Sequence, residues 1–309
     1  MFENDAVIIG GGPAGLTAGI YLCRARRQTV LIGREMFSAN IVNHELVENY
    51  PGFSEGVAGA QLISEMYTQA LAAELVIDET EVTEVEFGDD CRTVKCANGA
   101  TYTAGAVIIA AGCAHRKLNV PGEDKLHGKG VFNCALCDGG KFANQVVAVC
   151  GGGDSGLQEA IYMTKLASKV IVIEMMPELT ASAIMRERTE DNAKIEFRLG
   201  TRVESLVGED KVEGIEVVGA DGKKEVLTVD GVLVQVGITP NIDFLKGAVP
   251  LDEQGRIIVN QRMETEIPYV LAAGDIRSGS PNQIVTAAGD GATAGIVANK
   301  LLQELEQKK

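Results

Sequence analysis

Histidine is scarce in this chain, and membrane-length apolar runs are missing. The three histidines, His44, His115 and His127, show no H-x3–5-H spacing, so one half of a Cys2His2 zinc site is lacking. The longest apolar stretch, 104–114, is short and broken by glycine, whereas a bilayer crossing takes ~20 such residues. Positive charge is in deficit: 28 Lys plus Arg face 43 acids, for a net charge of −15. So acidic a surface repels phosphate backbones and anionic lipid heads, and neither nucleic acid nor a membrane is an expected partner. The start, Met1-Phe2-Glu3-Asn4-Asp5, lacks the basic residues and apolar core of a secretory signal. A cytoplasmic protein is expected.

With 46% apolar and 23% charged residues the composition excludes disorder, and 36 glycines without a three-residue period exclude a collagen-like chain. A length of 309 residues accommodates two domains.

A repeat organises the chain. Residues 10–22 read GGGPAGLTAGIYL and residues 151–163 read GGGDSGLQEAIYM. Each block follows a β-type run (6–9, 146–150) and leads through a helical stretch to a second one (29–32, 169–173). Both fit the dinucleotide fingerprint, Gly10-x-Gly12-x-x-Gly15 and Gly151-x-Gly153-x-x-Gly156. The first glycine permits the strand-to-helix turn, the second lets backbone approach a pyrophosphate, and the third lets helix and strand pack closely. The N–H groups opening each helix then hold the anion. One such loop can be a bare turn. Two, each in strand–loop–helix–strand context, predict an α/β protein with two Rossmann-like, three-layer ββα nucleotide-binding domains and two cofactors. Further strands are expected over 101–111, 225–237 and 269–273, small antiparallel sheets or hairpins over 88–100 and 208–222, and a C-terminal helix over 286–306. Linker candidates at 117–122 and 240–250 make the first domain discontinuous, 1–116 plus 246–309, with 117–245 inserted.

Of seven cysteines, Cys134 and Cys137 form the one C-x-x-C. Residues three apart on a helical turn lie about 5–6 Å apart, within the usual Cα range of a disulfide, so the pair can close and open with little backbone motion. Asp138 stands next to it to handle a proton. Half a zinc site and two inert thiols are the alternative readings. Cys23 and Cys150 look like small apolar fillers, Cys91 and Cys96 fall in a hairpin, and Cys113 falls beside a cofactor-side strand end.

Together with VENYPGF at 47–53, GITPN at 237–241 and AAGD at 272–275, these motifs make the chain resemble the low-molecular-weight thioredoxin reductases along nearly its whole length. The resemblance implies FAD in the first domain. Gly10, Gly12, Ala14 and Gly15 would hold its pyrophosphate, Asn40 and Asn49 its flavin side, Asp275 the ribityl chain, and Gln283 and Ile284 the isoalloxazine. Pro13, Arg34, Glu35, Val82, Ala111, Gly112 and Gly274 are further implied contacts. It also implies that Cys137 faces the flavin, Cys134 attacks the partner disulfide and Asp138 serves as acid. The implied partner is a thioredoxin-like protein and the implied assembly a homodimer whose domains rotate.

In one region the sequence departs from that family. Where NADPH-dependent members carry a His-Arg-Arg cluster, this chain reads Ile173-Glu174-Met175-Met176-Pro177-Glu178, with no basic residue between Lys169 and Arg186. An acid at Glu174 suits a ribose 2′-hydroxyl and repels a 2′-phosphate; at ~5 Å and an effective dielectric of ~20 that repulsion is ~3 kcal/mol. The expected nucleotide is NADH rather than NADPH, on Gly151, Gly153, Asp154, Ser155, Gly156 and Glu174. Reduced ferredoxin, with no pyridine nucleotide used, is an alternative donor. A dithiol oxidase and a non-enzymatic redox sensor are alternative functions. Asn282 stands where the family usually has arginine.

Overall fold

A computed structural model of the chain describes residues 2–33, 40–43, 46–88 and 91–307, with the side chains of Asn40, Asn43 and Cys137 outside that description. The chain divides into two units, 1–114 with 239–309, and 115–238. The crossings therefore fall at Ala114/His115 and Ile238/Thr239, and the segment 239–245 packs with the first unit. The crossing segments, β7 (Cys113–His115) and β16 (Ile238–Pro240), pair with each other as a two-stranded sheet.

The first unit is built on a parallel core. β1 (Asn4–Ile9) lies between β2 (Thr29–Gly33) and β6 (Thr101–Ile109), and β2 carries β3 (Val76–Glu79) at its outer edge. The long β6 branches. Its first half pairs antiparallel with β5 (Arg92–Cys96), which pairs with β4 (Val82–Phe87); its last half pairs parallel with β17 (Val270–Ala272). Strand periodicity of two splits the residues between faces. Ala6 and Ile8 join the core under α1 (Pro13–Arg24), α2 (Gly59–Ala72) and α7 (Ile284–Gln307). Val7 and Ile9 face the layer of the β4–β5 hairpin, with Val85 and Val94. Both faces are covered, so the buried stretches 6–9 of β1 and 106–109 of β6 are unbroken apolar runs rather than alternating ones.

The inserted unit repeats this plan. Its parallel sheet runs β11 (Ile195–Arg198), β10 (Lys169–Ile173), β9 (Val146–Cys150), β15 (Gly231–Val234), β8 (Val131–Phe132). One face packs on α5 (Asp154–Thr164) through Val147, Val149, Leu157 and Met163. The other is covered by an antiparallel sheet of β12 (Arg202–Val207), β13 (Gly214–Val218) and β14 (Lys224–Thr228), through Leu206, Ile215 and Leu227. Short helices α3 (Glu123–Leu126) and α4 (Ala135–Asp138) and the longer α6 (Ala183–Glu190) complete the unit. The single strand expected over 225–237 is two strands. Val229-Asp230 breaks it, so that β14 joins the covering layer and β15 the parallel sheet. Residues 208–222 carry β13 and the turns on either side of it, which makes this region the small antiparallel sheet expected there.

Candidate functional site

Each glycine loop does its work through backbone geometry. Gly10 has φ +113°, and a Cβ there would lie 2.3 Å from the Ala110 carbonyl oxygen. Gly151 has φ +118°, and a Cβ would lie 2.1 Å from that of Gln235. The third glycines are crowded by the first: a Cβ at Gly15 would sit 1.9 Å from Gly10 O, and one at Gly156 would sit 2.0 Å from Gly151 O. The middle positions are open, with nothing within 4 Å of a Cβ at Gly12 and only Thr180 Oγ1, at 3.6 Å, near one at Gly153. Gly12 and Gly153 are the N-caps of α1 and α5, and neither helix start is closed by a capping side chain. Pro13 at the first turn of α1 removes an N–H that the helix would not use.

At the first loop a cavity of about 560 Å³ opens, of a size suited to a large cofactor. Gly10, Gly12, Pro13, Ala14, Val82, Ala111, Gly112, Gly274, Asp275, Gln283 and Ile284 all line it. Gly15 is buried beneath the loop instead, and Asn49 reaches the cavity indirectly, donating through Nδ2 to Gln283 Oε1 at 3.0 Å. Arg34 and Glu35, and the Asn40 side chain, lie outside the described residues. The lining also includes Thr80, Glu81, Cys113, Asn241, Asp243 and Phe244, none of which sequence reading assigned to the cofactor. Of these, Cys113 alone carried a hint, by its place after Ala111-Gly112. Its buried thiol donates to the Asp275 carbonyl at 3.4 Å.

Burial raises the Asp275 carboxyl above its ordinary value, a rise that the nearby Arg256 guanidinium opposes. Arg256 Nη1 also donates to Asn282 Oδ1 at 3.2 Å, so a cation from the 256 segment stands beside Asn282. Arg277 fixes the turn from below: its Nε and Nη2 donate to Asp290 Oδ2 and Oδ1, and Asp290 Oδ2 accepts the N–H of Gly274. An open glycine cradle, an uncapped helix start and a large cavity along the ends of β1 and β6 fit FAD.

In the inserted unit, Cys134 follows β8 and the second glycine loop follows β9, so both stand at the carboxyl ends of one parallel sheet, where α/β folds place ligands. Cys134 is buried and disulfide-bonded, while Cys23, Cys91, Cys96, Cys113 and Cys150 are thiols outside any disulfide. The turn beginning at Cys134 is held from two directions. Ahead of it, Asn133 Nδ2 donates to the Val234 carbonyl and Gln235 Nε2 donates to the Asn133 carbonyl. Behind it, Ala135 N–H donates to Glu159 Oε2 at 2.6 Å. Asp138 ends α4 and pairs with Lys141 Nζ at 2.5 Å. Cys150 behaves as filler: full burial pushes its thiol up to about 12. Among the described residues no group of three or more His, Cys, Asp or Glu side chains could hold a metal, and no helix is long and apolar enough to cross a membrane.

Glu174 follows the last residue of β10 and turns back on the loop. Its Oε2 accepts the N–H of Gly152 at 2.6 Å and its Oε1 that of Met176 at 2.8 Å. Asp154 and Ser155 open α5 with exposed side chains, and Asp154 Oδ1 accepts the N–H of Ser182 at 2.6 Å.

Two nucleotide-type ββα units and a turn that carries the disulfide-bonded Cys134 are those of a flavin-dependent disulfide oxidoreductase, and the chain matches the family model described as pyridine nucleotide-disulphide oxidoreductase over residues 4–291. It is 40% identical to the thioredoxin reductase of Listeria monocytogenes over 98% of this chain and 95% of that protein. The crystal structure of thioredoxin reductase from Lactococcus lactis superposes with a TM-score of 0.95 at 34% identity, covering 98% of this chain and 100% of that one. A ferredoxin–flavin thioredoxin reductase from Clostridium acetobutylicum matches at 28% identity and a TM-score of 0.55, covering 98% and 99%. The chain belongs to the thioredoxin reductase family of FAD-dependent oxidoreductases.

Proposed function

We propose that the protein reduces the disulfide of a thioredoxin-like protein, with NADH as donor in preference to NADPH, FAD in the first unit and a Cys134–Cys137 dithiol in the second. The observation that carries this reading is the disulfide-bonded Cys134 on a braced turn, at the same sheet end as an open glycine loop. When bound, FAD supplies a two-electron store between a hydride donor and a disulfide. Gly10, Gly12, Ala14 and Gly15 would cradle its pyrophosphate, with Asp275, Gln283 and Ile284 along the rest of the cavity.

In the exchange step the Cys134 thiolate attacks one sulfur of the partner disulfide, forming a mixed disulfide and releasing the other sulfur as thiolate. Cys137 then displaces the mixed sulfur. The Cys134–Cys137 bond re-forms, and the partner leaves with two reduced sulfurs that carry the two protons given up by the enzyme dithiol, so no proton is gained or lost overall. Asp138, on the same turn, hands a proton to a departing sulfur, and Lys141 beside it keeps that carboxyl oriented.

For the donor, Glu174 is the deciding residue. Each carboxylate oxygen already accepts one backbone N–H, and each has a lone pair left for a ribose hydroxyl. No lysine or arginine lies between 169 and 186 to pair with a 2′-phosphate. That same lack of cations, with the likeness to the Clostridium acetobutylicum protein, favours reduced ferredoxin as the second reading. The intact second glycine loop supports NADH. Anaerobic titration of the flavin absorbance with NADH, NADPH and reduced ferredoxin side by side tests this. Bleaching by NADH well ahead of NADPH is expected, and bleaching by ferredoxin alone overturns the nucleotide assignment. Family resemblance supports a homodimer, which light scattering would measure.

A further inference from the structure

One titratable group beside the disulfide has no part in the exchange chemistry. Glu159 lies in the middle of α5, is 94% buried by its 6% exposure, and points a carboxyl oxygen at the N–H of Ala135, 2.6 Å away. Ala135 is the first residue of α4 and the immediate neighbour of Cys134. The first N–H groups of a helix have no partner within it, and α4 is a single turn. Its start is therefore held from outside or frays. Glu159 supplies that outside acceptor from a helix locked into the sheet by Leu157, Ala160 and Met163, all fully buried.

A buried carboxyl is costly and needs a reason. Burial pushes Glu159 up to about 7, the Ala135 N–H alone pulling the other way. An apolar residue would fill the space without that cost; what it could not do is accept the hydrogen bond. The backbone on the far side of Cys134 is tied down through Asn133 and Gln235. Glu159 thus completes a two-sided clamp on the attacking cysteine.

We propose that Glu159 is a positioning residue for the redox pair, its carboxyl oxygen holding the Ala135 N–H so that Cys134 stays at ring-closing distance in both the disulfide and the dithiol. This rests on the reading that Cys134 and Cys137 are the exchanging pair. Holding two groups at reacting distance raises their effective concentration. Releasing the clamp lets the open dithiol spread but leaves the covalent ring closed, so the disulfide becomes easier to reduce and harder to re-form.

Three substitutions separate the hydrogen bond from charge and from packing. Glu159→Gln keeps an acceptor oxygen in place, Glu159→Asp keeps the carboxyl but withdraws it by one methylene, and Glu159→Leu fills the space with neither. The FAD-loaded proteins are equilibrated anaerobically at pH 6 with graded ratios of reduced and oxidised dithiothreitol, quenched by alkylation, and the Cys134 peptide is quantified by mass spectrometry. At that pH the Gln amide is a close mimic of the protonated carboxyl.

Positioning predicts that Gln stays within about twofold of the unmodified protein, while Asp and Leu shift toward the dithiol by about tenfold. Equal behaviour of Leu and the unmodified protein overturns the proposal, as does a Gln variant displaced as far as Leu. A merely structural role would lower the melting temperature and leave the equilibrium in place. If the Leu protein does not fold, the Gln and Asp pair decides. Failure of the thioredoxin-reductase reading shows in a different assay, as absence of thioredoxin reduction by the unmodified protein.

Discussion

Arg277 and Asp290 meet in a two-pronged ion pair, Nε to Oδ2 at 2.7 Å and Nη2 to Oδ1 at 2.9 Å, with both side chains at most 15% exposed. The same Asp290 oxygen holds Gly274 N–H, so this pair fixes the turn that carries Asp275 into the cavity. Removing one partner of a buried pair strands the other charge, at a cost of about 3–5 kcal/mol. Asp290→Ala is expected to lower the melting temperature by several degrees and to weaken FAD retention at least tenfold. Thermal melting and the fluorescence of released flavin measure both. An unchanged flavin content would show that the turn holds without its brace.

The two glycine loops are separable by matched substitutions. Gly151→Ala puts a side chain at φ +118° and 2.1 Å from a carbonyl oxygen, closing the second loop. The protein should stay yellow, lose reduction by NADH, and still bleach with dithionite. Gly10→Ala meets the same obstruction in the first unit and should purify without flavin. Absorbance at the flavin band reads both outcomes, and a Gly151→Ala protein still reduced by NADH would remove the second loop from the nucleotide site.

Glu174→Arg exchanges a repelling charge for an attracting one toward a 2′-phosphate. The ratio of kcat/KM for NADH over NADPH is expected to fall tenfold or more. The N–H groups of Gly152 and Met176 lose their acceptor in the same change, so the KM for NADH should rise as well. A constant ratio would show that Glu174 serves only to pin the loop.

Cys134→Ser leaves the first-unit cavity untouched, since no lining residue changes. Thioredoxin reduction should be lost while flavin content and nucleotide-driven bleaching persist. Steady-state turnover that survives the change would assign the attack to another thiol.

Glu159 also sets a pH dependence. Its folded value, about 7, lies above the ordinary 4.5, so between those pH values the folded chain binds more proton than the unfolded one. Its contribution to stability is complete below about 4.5 and is lost as pH rises through about 7, by at most about 3 kcal/mol. Glu159→Gln cannot ionise. Its melting temperature relative to the unmodified protein should therefore climb across that window, and a flat difference would contradict the raised carboxyl.

The glycine loops were legible because their demands are local: Gly10 and Gly151 need positive φ, and nothing distant alters that. The alternation of Val7 and Ile8 between two cores likewise follows from strand geometry alone. Other features needed the folded chain. Residues 225–237 are apolar enough for one long strand, and only the parallel partner at β9 and the antiparallel partner at β13 split them. Asn241, Asp243 and Phe244 join the lining of the first-unit cavity from beyond the inserted segment in sequence, Asn241 lying 130 residues after the Ala111 it bonds, where no spacing rule connects them. Nothing in the sequence marks Glu159; its burial and its grip on Ala135 are tertiary facts.

The cavity of the first unit draws its walls from 9–113 and again from 241–287, and α7 closes on α1 where Gly291 and Gly295 leave room for the Ala14 and Ala18 backbone. A ribosome delivers these pieces far apart in time. The whole intervening lobe emerges before the wall-forming C-terminal stretch has been made, so a cofactor in this cavity can be fully enclosed only once that last stretch has left the ribosome.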